Sequence, residues 1–446
     1  MSVKRSIRIG FLIARELGRK YTRFLFLGFI IGFTASIVFY RAYPLFASQF
    51  MNKTERIGII GEYTPSSLPL SVQSLISHGL TKVLTDGKAV PFLAASWEAT
   101  NSAKTFIFTL NKDVQWSNGK AVVASDINYN IKGVTFVPSD DYTLIAHLQY
   151  PYSPFPTLVS KPIILKGLRG FGDYTVQAIS LQGDSIRGMK LEPKSAKGLR
   201  KAITFYRTEA QAILAFKLGE ITTLEDVSTP SALKDWGKVN VNDHVRYDRI
   251  VTLFYNTKDQ LLSEKSTRQG LSYLIPDFSY ERAGSPISKT SWAYTKNTKS
   301  YAFDPKIAKK LLANTPLTLA SSQLILSTFP AYLDTAQTIA NSWTAQGIKT
   351  TVKVENSITP NFQVFLSAQD LPPDPDQYPL WHSTQTTTNI TGYVNVKIDK
   401  LLEDGREELD YEKRIKIYTD FQRRLVEDAP AVFLYYPTLY TVTRAR

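Results

Sequence analysis

The sequence predicts an α/β protein of two or more domains, preceded by one membrane-spanning segment. Three observations carry this. At 446 residues the chain exceeds what a single hydrophobic core supports. An uncharged apolar run, Phe24 to Tyr40, lies near the N-terminus. From about Asp304 onward, strand and helix patterns alternate.

Composition agrees with an ordinary globular body: 43% hydrophobic, 21% charged and 12% aromatic residues. The absence of cysteine excludes disulfides, thiolate metal sites, a cysteine nucleophile and a lipid-modified cysteine. Lys4, Arg5, Arg8, Arg15, Arg19, Lys20 and Arg23 stand against Glu16 alone, so the first 23 residues supply six of the formal net charge of +14. The remainder is a mild excess over a large surface, which argues against a nucleic-acid partner.

"FLFLGFIIGFTASIVFY" (residues 24–40), extended by Arg41 and "AYPLFA", gives about 20 residues, enough to cross a bilayer. The preceding positive cluster places residues 1–23 in the cytoplasm and the bulk of the chain outside. A cleaved signal peptide is the competing reading. It requires small residues at the cleavage site, where Ala47 is suitable but Leu45 at −3 is not. The long span and the Tyr40/Arg41/Tyr43 group favour an uncleaved anchor over residues 24–46.

Further along, Ile57 to Ile60 reads as a buried strand entering a Pro-rich loop. A helix closing near Gly79 precedes a turn at Asp86–Gly87. Phe106, Phe108 and Leu110 alternate onto one face of a strand, ahead of a turn at Asn118–Gly119. Asp304 and Pro305 open a helix. Another helix carries Ala336, Ile339, Ala340 and Trp343 on one side, with Gly347 beyond its end. Ile415, Tyr418, Phe421 and Leu425 mark a late amphipathic helix, and "AVFLYYPTLYTV" a closing strand. No internal repeat appears.

Between them, "DPDQYPLWHSTQTTTNITGYVN" (residues 374–395) has neither helical nor strand period, yet it collects Asp374, Asp376, Trp381, His382 and Gln385. The other histidines, His78, His147 and His244, are scattered, and no His-x-x-x-His pair exists, so a metal site is not expected. "GDS" at 183–185 resembles a hydrolase turn without a convincing base, and an enzyme is the weakest class. "NIT" at 389–391 is a glycosylation sequon by pattern alone.

Residues 79–131, with "DGKAVPFLAASWEAT", "VQWSNGKAV" and "ASDINY", resemble the early signature of the family 5 extracellular solute-binding proteins, the oligopeptide, dipeptide and nickel receptors of ABC importers. "AILAFKLGEIT" (212–222), "TRQGLSYLI" (267–275) and residues 374–436 continue the series in order, so the resemblance covers roughly residues 55–440. Departures are "GFGDYTV" at 170–176 and Pro276, which should end its helix early.

The resemblance implies a two-lobed periplasmic-binding-protein-like fold of the peptide-binding class. The expected division is a cytoplasmic arm (1–23), the anchor (24–46), lobe I (55–256), lobe II (257–368), then a crossover and the rest of lobe I (369–446). Crossings are expected near 249–257 and 362–378. In peptide-binding members an Asp at the second crossing takes the α-ammonium. Asp370 matches that position, with Asp374 as the alternative after a one-residue insertion. Trp381, Trp292, Tyr378 and Tyr63 are candidate cleft walls, core packing being the competing reading for the tryptophans and Tyr378. Trp97 and Trp116 are assigned to core packing. The implied function is a membrane-anchored, extracytoplasmic receptor delivering peptides or a similar amine-bearing solute to ABC permease subunits, without cofactor. The other class left open is a sensor or scaffold with the same fold and a degenerate cleft.

Overall fold

The computed structural model describes residues 32–34, 36, 54–234, 236–313 and 323–445. The arm expected at 1–23 lies outside the described residues. So does the anchor expected at 24–46, apart from four helical positions. Among the described residues, no helix is long and apolar enough to cross a membrane.

A mixed seven-stranded sheet organises the first lobe. Its strand order is Val239–Val245, Thr438–Arg444, Thr223–Val227, Thr54–Ile60, Arg200–Tyr206, Ser185–Pro193 and Tyr174–Gln182. The central Thr54–Ile60 strand is the Ile57–Ile60 run of the sequence. It runs parallel to Arg200–Tyr206 in a register from Thr54 opposite Arg200 to Ile60 opposite Tyr206. Gly58 sits where a Cβ would collide with the Ile221 side chain, so glycine permits this close approach. The Glu209–Leu218 helix is closed at both ends: the Thr208 hydroxyl accepts from the Gln211 amide, and Gly219 follows at φ 81°.

A four-stranded antiparallel sheet is appended to this lobe, in the order Ala94–Thr100, Thr105–Leu110, Thr143–Leu148, Val134–Asp140. Its own core contains Phe106, Phe108, Leu110, Trp116 and Phe155, and Trp97 packs against it half-buried. A hairpin, Thr81–Val83 with Ala89–Pro91, turns at Asp86–Gly87.

The second lobe is built on a six-stranded sheet, in the order Glu281–Arg282, Ala431–Tyr436, Arg249–Tyr255, Val364–Asp370, Leu324–Thr328, Thr350–Val354. Strand, helix, parallel strand recurs here as the sequence implies: Leu324–Thr328, Leu333–Ala345, Thr350–Val354. Ala336, Ile339, Ala340 and Trp343 all face inward. Asp304 caps the Pro305–Leu312 helix through the amides of Lys306 and Ile307. The helix at Lys265–Ser272 stops before Pro276.

Both crossings differ from expectation. The chain passes out through residues 246–248, between Val245 and Arg249, and returns through Pro437 alone, between Tyr436 and Thr438. They lie side by side, and the Arg246 amide donates to the Pro437 carbonyl at 2.9 Å. Residues 362–378 are no crossing, and the second lobe does not end at 368: Val364–Asp370 and Ala431–Tyr436 belong to its sheet. Asp370 is nevertheless beside a crossing, because its strand runs antiparallel to Arg249–Tyr255 and the register sets Asp370 opposite Arg249.

Two buried ion pairs hold the aperiodic segment after Asp370. Asp374 accepts from both Arg414 terminal nitrogens, at 2.7 and 3.0 Å, and both side chains are buried. Asp376 accepts from Arg406 in the same forked manner, at 2.8 to 3.0 Å. Arg414 thus occupies an inward position of the Tyr411–Asp428 helix, while Ile415 is only half-buried. Burial opposes the charge on both partners and pushes the Asp374 pKa up, while Asp374 raises that of Arg414; the two forked hydrogen bonds are what offset the desolvation.

Asp374→Ala strands a buried guanidinium. It is expected to destabilise the protein by about 3–5 kcal/mol in urea unfolding, and adding Arg414→Met should recover part of that loss.

Candidate ligand-binding site at the lobe junction

Charged side chains from both lobes meet where the two crossings run together. From the second lobe, the Asp370 carboxylate accepts from Arg249 Nε at 2.6 Å; the Asp370 side chain is 73% exposed and that of Arg249 42%. The hydrogen bond to Asp370 holds the Arg249 pKa above its ordinary value. Tyr332 lies within electrostatic reach of both, and burial pushes its hydroxyl pKa up. On the crossing itself, Arg246 forks onto Asp248, Nε to Oδ1 at 2.8 Å and Nη2 to Oδ2 at 2.7 Å. It also reaches Asp226 of the first lobe at 3.3 Å. Asp226 interacts with His244 Nε2 at 3.0 Å and stands at φ 57°, beside a register shift in its strand. The Leu371 amide donates to the Asp248 carbonyl at 2.8 Å and so ties the end of the Asp370 strand to the crossing.

Tyr63 closes the group from the first lobe. Its hydroxyl donates to the Ile60 carbonyl at 3.1 Å, and its ring packs on Phe205 at 5.2 Å. Burial, then the nearby Asp226 charge, raises its pKa. The junction thus gathers three carboxylates, two guanidiniums and two phenols, of which the Asp370 side chain is the most exposed among the ion-paired groups. It suits a polar solute carrying an amine or a carboxylate.

Four of the six sequence candidates lie elsewhere. Asp374 is committed to Arg414 and presents no oxygen to a ligand. Trp381 is 2% exposed, stacks on Phe254 and meets Phe433 edge-on, a core position rather than a wall. Tyr378 is half-buried, stacked on His382 at 4.0 Å with the Arg406 guanidinium 3.9 Å from its ring. Trp292 packs on Tyr411 at 4.8 Å, and its amide donates to the Asp86 carbonyl at 2.9 Å. Trp292 therefore belongs to a separate, non-covalent contact between the lobes. There the turn at Gly87 abuts Pro373, and the Ser153 amide donates to the Arg406 carbonyl at 2.7 Å.

Arg249, Arg246, Asp226 and Tyr332 escaped the sequence reading. Arg249 heads a strand-like run, "RIVTLFY", but only the register reveals its partner. Among the described residues, no group of three His, Asp or Glu side chains could hold a metal ion. Ser185 of the "GDS" turn donates to Glu62. A cavity of about 320 Å³ lies in the first lobe, lined by Glu62, Arg187, Tyr206, Arg207 and Gln211 among others, and it involves neither Asp370 nor Arg249.

Two α/β lobes joined by paired crossings, with polar groups converging at the junction, have the two-lobed architecture of the periplasmic-binding-protein fold. The comparisons with known proteins make this specific. The family model of the bacterial extracellular solute-binding proteins, family 5 (Middle), matches residues 88–177 and 194–389, and the chain belongs to that family. It is 27% identical over 223 residues to the oligopeptide-binding protein AppA of Bacillus subtilis, covering 42% of this chain and 41% of the relative. The chain thus spans about two fifths of the length of that curated relative. Two crystal structures share the fold at about a fifth identity. The ABC transporter substrate-binding protein CtaP of Listeria monocytogenes superposes with TM-score 0.76 at 20% identity, over 89% of this chain and 94% of that one. NikZ of Campylobacter jejuni, in complex with Ni(L-His), gives TM-score 0.71 at 21% identity, over 88% and 94%.

Arg246, by hydrogen bonding, holds the Asp248 carboxyl below its ordinary pKa. A depressed folded value means that this stabilisation is complete above the unfolded pKa near 4 and disappears as pH falls through the lower folded value. Both side chains are partly solvated, so its size is below about 1 kcal/mol. Asp248→Asn should lower stability slightly at pH 7 and flatten the acid limb of a Tm-versus-pH curve below about pH 4.

Proposed function

We propose that this protein captures peptides, or a similar amine-bearing solute, between its lobes at the extracytoplasmic face of the membrane and passes them to an ABC importer. One observation carries the reading: the Asp370 carboxylate, solvent-open, stands where the described chain passes between the two lobes, beside residues 246–248 and Pro437. A carboxylate so placed can take a primary ammonium through charge-assisted hydrogen bonds as the lobes close over the ligand. Family membership and the relative that binds oligopeptides support it. Residues 24–46 serve as the anchor in this reading, since the uncharged run is long enough to span and follows a positive cluster.

A second reading is favoured by the Arg249–Asp370 pair. With Asp370 already occupied by a guanidinium, the same fold would act as a membrane-held scaffold or sensor that recognises no amine. Displacing an exposed arginine from its partner costs little, which is why the receptor reading is preferred.

The two separate in a thermal-shift and calorimetry series with the full-length protein. A mixture of short peptides is expected to raise Tm, by mass action on the folded state. Asp370→Ala should weaken peptides with a free amino terminus roughly 10- to 100-fold and leave N-acetylated peptides unchanged, the range for a hydrogen bond to a charged group. Arg249→Ala should strengthen the free-amine peptides. No Tm shift with peptide pools, in wild type and in Arg249→Ala alike, would leave the scaffold reading standing.

A further inference from the structure

At the end of the seven-stranded sheet opposite the crossings, basic side chains outnumber the carboxylates Glu55, Asp173 and Glu192. Thr54 begins the central strand there, opposite Arg200. The Lys194–Leu199 loop enters the neighbouring strand at the same end. Toward the other edge, the Lys238 carbonyl accepts from the Ala445 amide, and Val239 stands opposite Arg444. Arg56, Lys194, Lys197, Arg200 and Lys238 are exposed at this end. Arg200 pairs with Glu192, and Lys201 with Glu55. Asp173 lies near Lys194. No described carboxylate lies within ion-pair distance of Arg56, Lys194, Lys197 or Lys238 among the pairs found. Leu199, in the same loop, is 41% exposed.

The chain enters the lobe at this end. Residues 47–53 separate the proposed anchor from Thr54, and seven residues reach at most about 25 Å. A tether of that length keeps the start of the Thr54 strand within about three Debye lengths of the bilayer surface at physiological salt. A cationic face held there, carrying an exposed leucine, matches an anionic lipid surface in both charge and amphipathic character.

From this geometry, we propose that the basic end of the first lobe docks on anionic lipid headgroups, through the Lys194–Arg200 loop with Arg56 and Lys238. The docked lobe stands with its crossings directed away from the bilayer, and the second lobe lies beyond them. The inference rests on residues 24–46 acting as the anchor.

Because the chain has no cysteine, a single dye can be placed by Ala196→Cys, or by Thr344→Cys in the second lobe as a distant reference. Full-length protein is reconstituted into vesicles of phosphatidylcholine alone, or with about 30% phosphatidylglycerol, each carrying a headgroup energy acceptor. Energy transfer from position 196 is expected to exceed that from 344, to rise with phosphatidylglycerol, and to fall at 1 M salt. Lys194→Glu with Lys197→Glu should reduce the docked-to-undocked ratio at least tenfold, taking roughly a factor of five per cation near an anionic surface. Lys238→Glu, on another strand, provides an independent variant should the double exchange disturb the loop; circular dichroism checks both. Transfer at 196 that is indifferent to lipid charge and to these exchanges, in protein that survives an alkaline carbonate wash, overturns the docking and spares the anchor. Loss of the full-length chain in that wash overturns both.

Discussion

The pairing of Val239–Val245 with Thr438–Arg444 is the constraint on which the architecture depends. Seven residue pairs in unbroken antiparallel register bring the outgoing and returning chain to the same edge of the first sheet. Beyond the junction, Arg249–Tyr255 and Ala431–Tyr436 pair again, now in the second sheet. Two lobes with separate cores are therefore joined by two adjacent strands interrupted at one point. Three residues on one side and a proline on the other must absorb any rotation between them. Proline fixes its own φ and offers no amide, and its carbonyl accepts from the Arg246 amide, so the two crossings are tied to each other at this point.

This arrangement explains why the charged groups gather where they do. Arg246 and Asp248 lie on the crossing, Arg249 and Asp370 at the first rung of the second sheet, and Asp226 at the last stretch of a first-lobe strand. Each is partly solvated, so the individual ion pairs are weak and exchangeable. The buried pairs Asp374–Arg414 and Asp376–Arg406 are of a different kind. They fix a coil that has no ladder of its own, and removing either partner leaves an uncompensated charge. Carboxylates four and six residues beyond Asp370 thus serve the second lobe's stability, while Asp370 faces solvent.

Between the lobes a second contact forms without any covalent link, from the Asp86–Gly87 turn and Ser153 to Trp292, Pro373 and Arg406. It uses backbone hydrogen bonds and aromatic faces rather than deep apolar burial. Interdomain contacts of that composition permit relative motion.

The sequence alone determined the local elements, because their signals are short-range. The alternation of Phe106, Phe108 and Leu110, the Asp304 cap, the inward stripe ending at Trp343 and the turns at Gly87 and Gly119 need only neighbours along the chain. The ordered motifs also carried the family. What the sequence left open was decided by long-range pairing. Nothing local distinguishes a strand that leaves its lobe from one that ends beside a crossing, so the second crossing moved from 362–378 to Pro437 only when the registers were formed. Likewise Asp374 and Asp370 are indistinguishable as residue types. One met Arg414 forty positions away inside the lobe, and the other met Arg249 at its edge. Tertiary structure decides such cases because a carboxylate's role depends on its desolvation and its partner, and both are set by segments distant in sequence.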